Sequence, residues 1–417
     1  MALTARALWG VRSGGDDLNG NYFFDEIPGT SVDYTDQDAA EVTRANCSTP
    51  GIGSTTLTDA AAGGLFTTAM PGNGVWISAG VNFVVGMYYI KTWTDANNVV
   101  LDRSPTPGGA GAAGACKIGG SRATFTDAFF EGVSVGDTVW IESGTYTLTE
   151  SSWVGKLGTS ADRIKVYGYN AVRGDEPVDN DRPYIVCTAA WQWEFRRHWE
   201  IAHVRMLGSN TYVLRLSGLY GRAWNLKVQN DSGVANRLAI QADGTGCIVE
   251  DCECISDNGY ALVVALTGVA RFNECHDSVR GIEVTGASVR LFRNLCYDNG
   301  TGIYAAGGAG TDLDCMGNTL DDNTVAGIDI NANEPSDFLN NIFSNNLMGL
   351  TSTLVRDGNS ADSNDFWNNG ADVNNIVKGP NTLAVDPGYV NRGLKNFAIN
   401  PTSALITAGM QLRKGVG

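Results

Sequence analysis

Between Ile248 and Asn369 one short phrase returns about every 22 residues. Cys252-Glu253-Cys254, Asn273-Glu274-Cys275, Asn294-Leu295-Cys296, Asn318-Thr319-Leu320, Asn341-Ile342-Phe343 and Asn364-Asp365-Phe366 fall into one register, with steps of 21, 21, 24, 23 and 23 residues. A second column keeps the same phase: Gly281-Ile282, Gly302-Ile303, Gly327-Ile328 and Gly349-Leu350, with Gly259-Tyr260 a looser first member. Two columns in phase define a repeat, and a period in this range belongs to stacked architectures.

Within each phrase apolar and polar residues alternate over a few positions, and Asn, Asp and Gly fill the gaps, so each unit reads as short strands joined by tight turns. A unit this small cannot bury its own apolar face. Its neighbours must stack on it, like over like, at the strand spacing of about 4.8 Å. The predicted fold is therefore all-β, a single-stranded parallel β-helix. Its inner ladder contains Cys254, Cys275, Cys296, Leu320, Phe343 and Phe366, extended upstream by Met206 and Val228. The column Asn273, Asn294, Asn318, Asn341 and Asn364 belongs at a bend, where each amide can bond the next while tolerating a left-handed backbone. Its regular return points to structure rather than catalysis.

A solenoid can use a chain of 417 residues in one body. With 29 basic against 45 acidic residues the net charge is −16, which argues against a phosphate-tracking nucleic-acid binder and against docking on an anionic membrane. The sequence has no apolar run of about 18 residues that would insert into a membrane. Met1 to Gly10 lacks the charged leader and apolar segment of an export signal. The nine cysteines show no CxxC spacing for a metal, and buried thiols acting as small apolar groups are expected. No cofactor is expected.

Taken in order, Trp9 to Gly20 reads as a strand entering a Gly/Asp/Asn turn, and residues 25–53 read as loop. A compact β unit follows from Ser54 to Asp102, with strands at Val75–Ser78, Met87–Thr92 and Asn98–Asp102. Pro105-Thr106-Pro107 and the Gly/Ala run from Gly108 to Gly114 look like a linker. Thr124 to Val133 can form a short amphipathic helix, with Phe125, Ala128 and Phe129 on one face, to plug the open end of the stack. The resulting division is 1–24 for the first strand and cap of the solenoid, 25–117 for an inserted β-rich attachment domain with its linker, 118–375 for the β-helix, and 376–417 for a C-terminal cap.

That helix, followed by Gly136-Asp-Thr-Val-Trp-Ile-Glu-Ser-Gly-Thr-Tyr146, Gly158-Thr-Ser-Ala-Asp-Arg-Ile-Lys-Val-Tyr-Gly168 and the repeats, resembles the right-handed parallel β-helix (pectate-lyase-like) superfamily. The turn Gly15-Asp16-Asp17-Leu18-Asn19-Gly20 and the ending Asp386 to Val390, Asn396 to Ile399 and Ser403 to Gly409 are similar to one branch of it. The opening and the inserted segment also resemble β-helix structural proteins of tailed bacteriophages. The superfamily hosts lyases, hydrolases, epimerases and inert virion parts, so the resemblance implies a fold rather than an activity.

Chemistry is sparse. If Cys254 and Cys275 point inward, Glu253 and Glu274 point outward on neighbouring rungs, with Asp251, His276 and Asp277 beside them. Glycoside hydrolysis needs two carboxylates about 5 to 9.5 Å apart, and repulsion between these two could raise one pKa toward general-acid use. The competing reading is a solvated face of an acidic protein. Arg271, Arg290 and Arg293 could serve a lyase or simply bridge rungs. The aromatics Trp191, Trp193 and Phe195 share one side of a strand, fit to stack on sugars or to fill the core. With no persistent catalytic column, the leading expectation is a non-enzymatic structural protein on the exterior of a tailed-phage virion. It would be a homotrimer attached to other virion proteins through its N-terminal region, and it would contact host surface polysaccharide. The alternatives are a polysaccharide-degrading hydrolase or lyase using Glu253 and Glu274, and a bacterial surface adhesin.

Overall fold

The repeat winds the chain into a parallel solenoid whose side walls are three sheets, each rung giving one strand to each wall. In a computed structural model the described residues are 8–16, 19–20, 40, 42–59, 61, 64, 66–68, 70–124, 133, 135–148, 157–170, 174–188, 193–306, 313–331, 336–353 and 360–407. The chain divides into two units, residues 1–150 with 155–185, and residues 151–154 with 186–417.

In the second unit the first sheet contains Ile248–Glu250, Val269–Arg271 and Val289–Phe292, and the second contains Glu253–Ser256, Glu274–His276 and Leu295–Tyr297. The third sheet has nine strands, among them Tyr260–Val264, Arg280–Val284, Thr301–Ala305, Ala326–Ile330 and Met348–Ser352. Met206, Val228, Cys254, Cys275, Cys296, Leu320, Phe343 and Phe366 pair rung to rung along the second sheet and are buried. At its end Phe343 and Phe366 stack with ring centroids 4.7 Å apart. All nine cysteines are free and buried.

Asn273, Asn294, Asn318, Asn341 and Asn364 lie fully buried at the bend between the first and second sheets. Each amide nitrogen from Asn273 to Asn341 donates to the next Asn Oδ1 at 3.0, 3.0, 3.0 and 3.1 Å. The left-handed residue is not the ladder Asn, however, but the one before it: Phe272, Arg293, Gly317, Asn340 and Ser363 all have positive φ. Each left-handed residue turns the corner, and the Asn after it closes the gap by bonding backbone as well as its neighbour. The device recurs at the bend between the second and third sheets. There Asp298, Asp322, Asn345 and Asn368 carry the positive φ, and Asn299, Asn323, Asn346 and Asn369 form a second amide ladder at 3.2, 2.8 and 3.1 Å.

In the third sheet Leu262, Ile282, Ile303, Ile328 and Leu350 stack inward. The loose first member is thereby corrected. Tyr260 pairs with Arg280 and faces outward, and the true mate of Gly281-Ile282 is Ala261-Leu262. Glycine recurs because the column is tight: a Cβ at Gly302 would stand 2.7 Å from the Gly327 carbonyl oxygen.

The first unit holds a closed antiparallel barrel of Val42–Ser48, Thr56–Asp59, Gly74–Val81, Gly86–Asp95, Asn98–Leu101 and Ala112–Ile118. Leu57, Val75, Ile77, Tyr88, Ile90 and Val99 fill it. Two expectations fail here. The supposed loop contains the strand Val42–Ser48, whose alternation is broken by a bulge between Arg44 and Cys47. The supposed linker enters the strand Ala112–Ile118, and its glycines are small because Phe83 lies on them: a Cβ at Gly114 would meet that ring at 2.7 Å. The same unit contains the parallel strands Leu8–Val11, Thr138–Glu142 and Ile164–Tyr169. The helix expected at Phe125, Ala128 and Phe129 lies outside the described residues.

Candidate functional site

The segment after the repeats decides which outer face can meet a ligand. Leu383 bridges to Asp365, and the chain then runs back along the outside of the second sheet through the hairpin Tyr389–Asn391 and Asn396–Ile399 and the short helix Ala404–Thr407. Phe397 packs on Leu295 and Tyr297, and Leu405 on Ile342. Arg392 ties the hairpin to Asp321 at 2.7 Å, with Ser344 and Asn345 donating to the same carboxylate. The outward residues of the second sheet from Leu295 to Asp365 are thus interior, and only Trp367 at the end of its last strand stays exposed.

Glu253 and Glu274 sit at the edge of this cover, paired in register on adjacent rungs. Lys227 Nζ bonds Glu253 at 2.6 Å, and His276 Nε2 lies 3.5 Å from the same oxygen. The His276 ring stacks on Tyr297 at 4.8 Å, its Nδ1 lies 2.7 Å from Asp277, and the Tyr297 hydroxyl donates to Glu274 at 2.7 Å. Burial pushes the Glu253 pKa up, but the bonds from His276 and Lys227 outweigh it and bring it down to about 2. Burial lowers the His276 pKa, yet Glu253 and Asp277 raise it overall. The expected elevation of one carboxyl pKa is thus reversed at Glu253, because cations rather than its like-charged neighbour reach that group. Each group in this cluster satisfies another.

The other sequence candidates scatter. Trp193 and Phe195 are buried in the core, edge to face at 5.4 Å, and Phe195 stacks on Trp199 at 5.0 Å, so the sugar-stacking reading fails for both. Trp191 lies outside the described residues. Arg271 is bound to Glu250, Arg290 approaches Asp314 at 3.6 Å, and Arg293 lies over the Phe272 ring.

The third sheet differs. One outward column reads Glu194, Arg215, Gln241, Val263, Glu283, Tyr304, Asp329, Thr351 and Asn374, rung by rung. Arg280 lies 4.8 Å from the Tyr260 ring centre and 3.5 Å from that of Tyr304, while its guanidinium bonds Glu283 at 2.7 Å. The Tyr304 hydroxyl accepts from Asn331 at 3.2 Å. Asp329, two rungs beyond Glu283, is half-buried and makes no hydrogen bond or ion pair among the described residues. Burial raises its pKa, with Arg280 opposing only in part. Two carboxyls in unlike surroundings, one held by an arginine and one left without a partner, are a recurrent arrangement for acid–base work.

Sequence reasoning missed this column. Its signal was present: the residue after each aligned Gly-Ile or Gly-Leu is Glu283, Tyr304, Asp329 and Thr351, polar and different each time beside a constant pair.

Residues 222–375 match the family described as "Right handed beta helix region". The solenoid is a right-handed parallel β-helix. The right-handed β-helix is similar to the pectate lyase Pel9A, at 12% identity and a TM-score of 0.47, over 68% of this chain and 85% of that one. It is similar also to the A-module of the mannuronan C-5 epimerase AlgE6 of Azotobacter vinelandii (12% identity, TM-score 0.38, 60% and 91% covered). A mannuronic acid-specific family 6 polysaccharide lyase from human gut microbiota is similar at 12% identity and a TM-score of 0.38, with 61% and 77% covered. No curated protein matches the chain. These solved structures are polysaccharide lyases and an epimerase, and with them the expectation of a non-enzymatic virion component is overturned.

Proposed function

We propose that the protein cleaves a polysaccharide laid along the outer face of the third sheet. The observation that carries this reading is Asp329: a half-buried carboxyl without a hydrogen-bond or ion-pair partner among the described residues, on the same outward column as Glu283. Two rungs at about 4.8 Å each set the pair roughly 9.6 Å apart. That backbone separation lies just beyond the wide end of the range, about 6.5 to 9.5 Å, that leaves room for a water between base and sugar. Asp329, with its raised pKa, donates a proton to the departing glycosidic oxygen. Glu283, bonded to Arg280, takes a proton from the attacking water. Tyr304 stands between them, and Tyr260 and Arg280 extend the surface on which a sugar ring can rest.

The test is a panel of neutral and uronate polysaccharides, pectate and alginate included, assayed for new reducing ends. Asp329→Asn and Glu283→Gln should each lower the rate by about 10²- to 10⁴-fold. Unsaturated uronate products would reassign the reaction to β-elimination. Full activity in Asp329→Asn would remove the site, and failure to shorten any chain in the panel would overturn the function.

A further inference from the structure

In the barrel, Cys47 and Cys116 stand on the first and last strands in chain order, Val42–Ser48 and Ala112–Ile118, which pair antiparallel to close the ring. The bulge between Arg44 and Cys47 turns Cys47 inward toward Cys116, and the two sulfurs lie 2.9 Å apart, closer than unbonded sulfurs ordinarily pack. Both are buried, next to the ion pair of Arg44 with Asp59. Cys254, Cys275 and Cys296 also face one another along the inner ladder of the second sheet, whereas two other thiols have carbonyl acceptors. Cys247 donates to Gly218 and Cys252 to Glu250, both at 3.2 Å.

We propose that Cys47 and Cys116 are a disulfide-forming pair that staples the barrel at its seam. A small-molecule disulfide such as oxidised glutathione accepts the electrons. One thiolate attacks it and releases one reduced thiol, then the second thiolate attacks the mixed disulfide and releases another. Two S–H bonds are lost, one S–S bond forms, two electrons reach the oxidant, and its two sulfurs leave as thiols. The staple joins residues 69 apart in sequence and encloses every other strand of the barrel. A loop of that length removes much of the unfolded chain's freedom, so the oxidised barrel resists unfolding more strongly. This inference is independent of the polysaccharide reading, because it concerns only the barrel's covalent state.

The experiment equilibrates the full chain across graded ratios of reduced to oxidised glutathione, quenches with acid, alkylates under denaturing conditions and maps the peptides. The expected result is a Cys47–Cys116 linked peptide that appears as one two-electron transition, with the other seven cysteines alkylated. The barrel's Tm should rise by at least about 10 °C on oxidation, and this rise should vanish in Cys116→Ala. Alkylation of both Cys47 and Cys116 at the most oxidising ratio would overturn the proposal. So would their capture only as mixed disulfides with glutathione, or an unchanged Tm in a linked sample. If Cys116→Ala does not fold, Cys47→Ser supplies the same comparison, and the peptide map of the natural sequence decides alone.

Discussion

The outer faces of the second and third sheets start from the same alternation and end in opposite conditions. On the second sheet Leu295, Thr319, Ile342 and Asp365 point away from the solenoid's core, yet all are buried, because the returning C-terminal segment builds a second core on top of them. On the third sheet Arg280, Tyr304, Asp329 and Thr351 occupy the equivalent outward side and remain half-buried, with their polar atoms directed to one another or left over. Outwardness in a strand therefore says nothing about access until the rest of the chain is placed. The covered face spends its charges on holding the cover. The third keeps a half-buried carboxyl, Asp329, that makes no hydrogen bond or ion pair among the described residues.

The largest test of that contrast is Asp329→Asn, which should abolish most cleavage while leaving the fold intact, since the side chain has no bond to lose among the described residues. A melting curve beside the activity assay separates the two effects, and a large drop in Tm would place Asp329 with the structural charges of the second sheet. Next, Phe343→Ala removes a fully buried ring from the stack beneath the covered face and should cost about 3 to 5 kcal/mol. Urea unfolding measures it, and a cost near zero would show that the stack collapses to fill the gap.

Asp365 tests the cover itself. It is fully buried, its Oδ1 accepts from the Val385 amide at 3.0 Å, and its Oδ2 has no partner among the described residues. Burial, aided by Asp372 and Asp386, lifts its pKa to about 6 from the ordinary 3.8. The folded state therefore holds a proton that the unfolded chain gives up between those two values, and stability falls as pH rises through that window. Above pH 6 the buried charge costs up to about 3 kcal/mol. Asp365→Asn should raise the Tm at pH 8 and leave it unchanged near pH 4. An equal shift at both pH values would remove the titration from the explanation.

Much of this fold was legible because stacking forces like over like: the inward column from Cys254 to Phe366 and the amide ladder from Asn273 to Asn364 are direct consequences of the repeat. The barrel was harder. A bulge at Arg44–Cys47 hides the alternation of its first strand, and glycines packed under Phe83 imitate a linker. The site was least legible, since Glu253 and Glu274 are adjacent in the alignment and look like a pair, whereas Glu283 and Asp329 are separated by a tyrosine rung. Nothing in the sequence tells that Lys227 and His276 will bond Glu253 and Tyr297 will bond Glu274, or that residues 389–405 will cover the neighbouring rungs.

Glu253→Gln should give the smallest change in activity and so tests the choice between the two faces most sharply. The carboxylate, with its pKa brought from 4.5 down to about 2, contributes stability that is fully present above pH 4.5 and is lost as pH falls toward 2. Replacing it removes the bonds to Lys227 and His276, so His276 should lose its proton at a lower pH, which NMR titration of the imidazole can follow. Cleavage by Glu253→Gln should stay within about twofold of the natural protein at neutral pH, a change too small to count as a lost acid or base. If instead it falls as far as in Asp329→Asn, the second sheet contributes to the reaction and the covered face does more than hold the C-terminal segment in place.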